Sequence, residues 1–251
     1  MATVKQIFEF IDSFAPFSSQ EKWDNSGLLL GDPEKQVKTV AVVLDATKKT
    51  VEAAKNIGAD MMVTHHPVIF SPLKKITAGS VVYDLLVNGI STVSAHTCWD
   101  SAAGGVNDTL AKLLGFENAQ PMELEETATP MARLCEVEPM SGEELARLVK
   151  EKLGCQLRLA DSGNPITKVA ICGGSASSLV YEAIGKADAF ITGDLSHHVF
   201  IDAADSGMTV IAAGHFETEA PSMKPLTEKL KEKFTDTCFV LIEQENPVKY
   251  Y

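Results

Sequence analysis

The amino-acid sequence predicts an α/β protein of two pseudo-symmetric α/β halves, each with a mostly parallel sheet. Three observations carry this. From residue 39 onward, short β-branched and apolar runs alternate with helical stretches, the pattern of βαβ units. The strand–helix–strand–helix–strand order then occurs a second time. Finally, all six histidines fall at or just after the ends of apolar runs, where open parallel sheets bind ligands.

The first half spans residues 1–120. Residues 3–14 place Val4, Ile7, Phe8, Ile11 and Phe14 at helical spacing, and Pro16 ends the run. A polar turn beginning at Trp23 leads into the apolar stretch Gly27–Gly31. Thr39–Leu44 reads as a buried strand, 48–57 as a helix, and Met61–Thr64 as a second strand that stops at His65-His66-Pro67. A helix over Ser80–Asn88, a strand over Ile90–Ala95 and a helix over 105–115 follow, the last with Val106, Leu110, Leu113 and Leu114 apolar. Residues 116–130 are acidic, carry two prolines and have no period, so they read as the boundary between halves.

The second half, 121–251, opens with a strand from Arg133 to Val137 and a helix over 141–153. Lys168–Cys172 resembles Lys38–Val42, and Ile184–Asp188 resembles Ile57–Asp60. Ala189–Thr192 likewise resembles Met61–Thr64, and Met208–Ala213 resembles Ile90–Ala95. After Glu219, Met223, Leu226, Leu230 and Phe234 share a helical face, and Thr237–Glu243 is a last strand. This C-terminal segment can pack back on the first half.

Among 251 residues, 34 are acidic and 22 basic, a net charge of −12. Nucleic-acid binders draw affinity from Lys and Arg neutralising phosphates, and no basic block stands out, so no nucleic-acid partner is expected. The acidic excess reads as a solubility feature. The five cysteines include no CxxC pair. That argues against a disulfide framework or zinc knuckle and fits a reducing compartment. No signal-peptide pattern opens the chain, and no apolar run approaches the roughly 18 residues of a membrane span. The expectation is a soluble, cytoplasmic protein with no membrane partner.

His65 and His66 are adjacent at a strand end, so they point in different directions. Two neighbouring ions could take one each, or the pair could be structural. His96 and Asp100 lie four apart, and His215 and Glu219 repeat that spacing in the second half. Each pair alone is compatible with a helix N-terminal cap; mirrored across the repeat, they favour a metal site. Imidazole nitrogen with carboxylate oxygen suits Zn, Mn, Fe, Co or Ni rather than Ca or Mg. Two such ions about 3.5–4 Å apart share a carboxylate and generate hydroxide near neutral pH.

Asp194 to His198 occupy the place in the second half that His65-His66 occupy in the first. Asp194 or a histidine there is a candidate for orienting a ligand or moving protons, with a plain helix cap by Asp194 as the alternative. The turn Cys172-Gly173-Gly174-Ser175-Ala176 is either a tight turn or a phosphate-holding helix start, and it matches neither GxGxxG nor GxxxxGK[ST]. Cys98 reads as a core-edge thiol rather than a nucleophile.

Taken in order, WDNSGLLLG (23–31), THHP (64–67), AHTCWD (95–100), GGVND (104–108), TGDLSHH (192–198) and GHFETE (214–219) resemble the GTP cyclohydrolase 1 type 2 homologue family, also called the Nif-three-like family. The resemblance runs from about residue 5 to the C-terminus. It implies a two-domain α/β protomer with a dinuclear metal cleft between the halves, assembled into a ring-like homohexamer. It places two divalent metal ions on His65, His66, Asp100, His215 and Glu219, with Glu219 bridging, and it puts the TGD-plus-histidine motif on Asp194 and His198. His96 is then a neighbour of the ligands and not one of them. The short 116–168 region marks the compact form without the inserted domain of many members. Cys98-Trp99 departs from the small polar residue and leucine expected there, and Trp99 would narrow the pocket.

Two functions compete. One is a metal-dependent hydrolase acting on a small-molecule substrate, a nucleotide ring or phosphate, with GTP ring-opening as its specific form and Asp194, His198 or Glu217 moving protons. The other is a non-catalytic metal or metabolite carrier, or a scaffold. Open coordination positions favour the first, and a fully ligated, water-poor site the second.

Overall fold

The computed structural model describes residues 1–125 and 127–250; Glu126, inside the expected boundary segment, and Tyr251 lie outside the described residues. In chain order the elements are α1 (Val4–Phe14), β1 (Gly27–Leu30), β2 (Thr39–Val43), α2 (Lys48–Asn56), β3 (Met61–Thr64), α3 (Val81–Val87), β4 (Ser91–Ser94), α4 (Thr97–Ser101) and α5 (Val106–Leu114). There follow β5 (Arg133–Met140), α6 (Gly142–Leu153), β6 (Arg158–Ala160), β7 (Ile166–Ser175), α7 (Ser177–Ala183), β8 (Ala189–Asp194), α8 (His197–Asp205), β9 (Thr209–Ala212), α9 (His215–Glu219), α10 (Met223–Lys233) and β10 (Cys238–Leu241). No helix among the described residues is long and apolar enough to cross a membrane.

The chain divides into two compact units. The first comprises Met1–Ala103 and Met223–Glu245. Its five-stranded sheet has the order β10-β2-β3-β4-β1, parallel throughout except for β1, which runs antiparallel on β4. Every residue of β3 and β4 is buried, as expected of parallel strands covered on both faces. Ala41, Val43, Val51, Met62, Leu85 and Ile90 form one of its cores. α1 starts at a capping box: Gln6 N–H donates to Thr3 Oγ1 and Thr3 N–H donates to Gln6 Oε1. Its buried face is Val4, Ile7 and Ile11.

The second unit comprises Gly104–Ser222 with the segment from Asn246 on. The sheet runs β5-β7-β8-β9-β6, with a two-residue strand Gln120–Pro121 outside β5. The central β7, β8 and β9 are parallel, whereas β5, β6 and the Gln120–Pro121 piece join antiparallel. The parallel centre thus repeats that of the first unit, as does the antiparallel edge, β6 on β9 like β1 on β4; the other edge differs, β10 joining parallel and β5 antiparallel.

The division falls at 103/104, not at 120/121. The reason is packing: Leu110, Ala111, Leu114 and Phe116 share a core with Ile166, Val169 and Ile171, and Met122 and Leu124 pack with Phe190 and Val199. The acidic stretch expected to be a boundary therefore carries apolar anchors into the second unit. Met223–Glu245 returns to the first unit, where β10 pairs parallel with β2.

The repeat seen in the sequence has a structural core. Asp60 Oδ2 accepts from the backbone N–H groups of Lys38 and Thr39. Asp188 Oδ2 accepts from Thr167 and Lys168 N–H and from the Thr167 hydroxyl. Each carboxylate pins the start of the preceding parallel strand, so both units begin their strands in register and present the strands' carboxyl ends together.

Burial pushes the Asp188 carboxyl up, but the hydrogen bonds from Thr167 and Lys168 outweigh it and hold its pKa below the ordinary value. A group with a depressed folded-state pKa stabilises fully above its unfolded value, about 3.9, and loses that contribution as pH falls through the folded value. We expect Asp188→Ala to cost about 1–2 kcal/mol near neutral pH, read by urea unfolding, and the gap from wild type to shrink as pH falls below about 4. A gap unchanged with pH would contradict the assignment.

Candidate metal centre

Three histidines gather in the first unit. His65 and His66 follow the end of β3, and His96 follows the end of β4, its neighbour in the sheet. Parallel strands in register bring these ends side by side. Ring centroids lie 4.9 Å (His65–His66), 5.2 Å (His65–His96) and 5.5 Å (His66–His96) apart. One ring nitrogen from each lies within 4.8 Å of the other two.

Each ring is held through Nδ1. His65 Nδ1–H donates to the Ala95 carbonyl at 2.9 Å, His66 Nδ1–H to Asp45 Oδ1 at 2.7 Å, and His96 Nδ1–H to Asp24 Oδ1 at 2.8 Å. A carbonyl or carboxylate oxygen only accepts, so a proton sits on Nδ1, and in the neutral ring Nε2 carries the lone pair. This tautomer is the one a metal-ligating imidazole adopts when its other nitrogen is anchored.

Asp24 is itself fixed. Its Oδ2 accepts from the hydroxyls of Ser26 and Thr97 and from Thr97 N–H. Burial raises its pKa, but the His96 contact and these hydroxyls prevail and hold the carboxyl far below the ordinary range.

Asp100 is buried, and its Oδ1 stands 3.6 Å from His65 Nε2. That is too long for a hydrogen bond. It is close to the roughly 3.3 Å that separates two donors on one tetrahedral zinc at 2.0–2.1 Å each. The sequence spacing pairs Asp100 with His96, whereas the fold faces it to His65.

The second unit carries the other expected residues. His215 is the first residue of α9 and Glu219 the last, so they share a helix face. His215 Nδ1–H donates to Asp194 Oδ2 at 2.9 Å, and His215 Nε2 lies 3.1 Å from Glu219 Oε2. In the neutral ring with its proton on Nδ1, that second contact brings a lone pair against a carboxylate oxygen, whereas a doubly protonated ring donates there. A cation between them turns a repulsion into two bonds.

Glycines clear the space. Gly174 has φ +67°, and a Cβ there would stand 2.1 Å from Glu219 Oε1. At Gly193 a Cβ would stand 2.7 Å from His215 Cα. The Gly173-Gly174 turn, read from the sequence as a tight turn or phosphate cradle, makes room for the buried Glu219 carboxylate.

The remaining sequence-predicted groups are placed differently. Glu217 Oε1 accepts from Asn246 Nδ2 at 2.8 Å, and its Oε2 is buried with no hydrogen-bond partner among the described residues. His198 is exposed in the first turn of α8 and makes no hydrogen bond among the described residues. Trp99 does not narrow a pocket: it is fully buried, edge-on to Phe14. Burial, first, and the Asp24 and Asp100 charges push the Cys98 thiol up to about 12, so it stays protonated and is no nucleophile. Sequence reasoning missed Asp24 and Asp45 as anchors. The signal for Asp45 was its place just after a strand end, and for Asp24 its place in the WDNSG run.

Comparison with known proteins adds a family. The sequence matches the family described as Duf34/NIF3 (NGG1p interacting factor 3) over residues 2–247. It is 34% identical over 253 residues to a Clostridium perfringens protein named GTP cyclohydrolase 1 type 2 homolog, covering 96% of each chain. It is 33% identical to NIF3-like protein 1 of Drosophila melanogaster, covering 97% of this chain and 85% of that one. The fold is similar to that of a hypothetical protein from Staphylococcus aureus whose crystal structure is known, with a TM-score of 0.90, 26% identity and 99% of each chain covered.

The glycine cradle yields a prediction. Gly174→Ala meets both the left-handed backbone, about 1–2 kcal/mol, and the Glu219 carboxylate. Gly185 has φ +80° and nothing within 4 Å of an added Cβ, so Gly185→Ala carries the backbone cost alone. Elemental analysis and thermal melts of both should show metal lost only from Gly174→Ala and a larger fall in stability there. Equal metal content in the two variants would refute the cradle.

Proposed function

This chain belongs to the Duf34/NIF3 family, and we propose that within it the protein is a dinuclear metal-dependent hydrolase of a nucleotide. In this reading His65, His66, Asp100, His215 and Glu219 would hold the metal ions. The observation that supports it most is the common arrangement of four imidazoles, each with Nδ1 on an oxygen acceptor, which leaves Nε2 for a ligand. The donor set fits a borderline divalent cation, Zn, Mn, Fe, Co or Ni.

When bound, such ions supply Lewis acidity and lower the pKa of a water toward neutrality. The protein's own residues do the rest. Asp45, Asp24 and Asp194 fix their imidazoles by charge-assisted hydrogen bonds, which holds the rings in place before any ion arrives. His96 belongs with the ligands' neighbours in this reading, its ring positioned by Asp24. Glu217, with one oxygen held by Asn246 and the other buried, is assigned to proton movement, and His198 to proton exchange with solvent.

The relatives' name, GTP cyclohydrolase 1 type 2 homolog, directs the substrate reading to a purine nucleotide, cleaved in its ring or at a phosphate. All five cysteines are free thiols, consistent with a cytoplasmic home. A homohexamer is the assembly proposed, to be read by light scattering.

Protein purified without chelator should carry about two transition-metal ions per chain by elemental analysis. Glu219→Gln should lose at least one ion. Asp194→Asn should keep both, with affinity lowered about 10- to 100-fold, and lose turnover on a nucleotide panel. Folded wild-type protein without metal overturns the metal reading. Two ions with no turnover on any nucleotide overturn the hydrolase and leave a metal or metabolite carrier.

A further inference from the structure

Beside the three histidines of the first unit stand two large rings that the hydrolase reading does not use. Trp23 is 58% exposed and Phe70 52% exposed, an unusual cost for side chains of this size. Their centroids lie 6.0 Å apart with planes at 40°. Both approach the His96 ring, Trp23 at 5.8 Å and Phe70 at 6.3 Å, each roughly edge to face.

These rings are not loose ornaments of a loop. The residue after Trp23 is Asp24, whose carboxylate holds His96 Nδ1 at 2.8 Å. The next, Asn25, donates from Nδ2 to the carbonyl of Ile69 at 2.6 Å, and Ile69 precedes Phe70. Three consecutive residues thus present an exposed indole, fix a histidine of the metal cluster and tether the loop that carries the second ring. Such coupling sets the distance between an apolar ring platform and the metal half-site.

We propose that Trp23 and Phe70 form a stacking platform for a planar heteroaromatic ring, the base of a purine nucleotide, and that they position it against the His65, His66 and His96 cluster. The inference deepens the hydrolase reading and rests on it for the reaction, while the platform itself is a property of the first unit. A purine stacked flat on one ring lies inclined by 40° to the other, so that a single planar base makes apolar contact with both. An aliphatic chain would bury apolar area without using that inclination. The net charge of −12 argues against a nucleic-acid strand as the source of the base, so the occupant is a free nucleotide. With the base on the platform, its polar edge faces His96, and the phosphates remain free to extend along the cluster.

The test uses the metal-loaded full chain and calorimetric titration with guanosine, GTP, ribose 5-phosphate and inorganic triphosphate. Elemental analysis of every variant reports the metal separately, so loss of metal in wild type would sink the hydrolase reading without bearing on the platform. Trp23→Ala and Phe70→Ala should each weaken guanosine and GTP by about 5- to 150-fold, the usual range for losing one base-stacking ring. Both should keep wild-type metal content and wild-type affinity for triphosphate. Trp23→Phe should recover most of the binding. Trp99 is buried, so indole quenching by guanosine in wild type should come from Trp23 and vanish in Trp23→Ala. The platform is overturned if wild type does not bind guanosine, if the alanine variants bind it as tightly as wild type with metal intact, or if acrylamide cannot reach Trp23 in wild type and Trp23→Ala breaks up a multimer. The last result would make the rings a contact between copies of this chain.

Discussion

One hydrogen bond, made four times, organises this protein: an imidazole Nδ1–H given to an oxygen that only accepts. The partners are a backbone carbonyl for His65 and the carboxylates of Asp45, Asp24 and Asp194 for His66, His96 and His215. Each bond fixes a tautomer and a ring plane together. In the neutral rings, what remains at His65 and His215 is an Nε2 lone pair beside a carboxylate oxygen, of Asp100 at 3.6 Å and of Glu219 at 3.1 Å, an arrangement that electrostatics disfavours unless a cation or a second proton is present. The folding free energy of the surrounding sheet therefore holds the donors in place before an ion binds, which lowers the entropy that binding must offset.

The parallel sheets make this possible. Their strands start in register because Asp60 and Asp188 tie successive strand starts, so their ends also fall together, and the residue after each end projects into common space. β-Branched and apolar residues dominate the strands because both faces are covered, and the histidines follow where the strands stop. Glycine then supplies what side chains cannot: Gly174 and Gly193 lie where Glu219 and the His215 backbone come too close for a Cβ.

Much of this was legible in the sequence. The strand Met61–Thr64 was bounded correctly because β-branched residues run up to a proline-stopped histidine pair. The His215/Glu219 pairing followed from i, i+4 spacing, which is a contact on any helix. The equal spacing of His96 and Asp100 misled for a physical reason. His96 is the residue before α4, with φ −97° and ψ −109°, so its side chain is off the helix face and Asp100 turns to His65 instead. The Asp24–His96 bond joins residues 72 apart, and no local period reports such a contact. The acidic, proline-bearing segment after α5 read as a boundary because its anchors, Phe116, Met122 and Leu124, are too widely spaced to form a pattern.

The central claim is that the ring nitrogens are set by the protein and not by the ion. Long-range proton–nitrogen NMR spectra of the folded, metal-free protein above neutral pH test it directly. The account predicts that His65, His66, His96 and His215 all show the Nδ1–H tautomer, with Nε2 unprotonated, before any metal is added. Predominance of the Nε2–H tautomer at these positions, or averaging of the two as in a free imidazole, would contradict it.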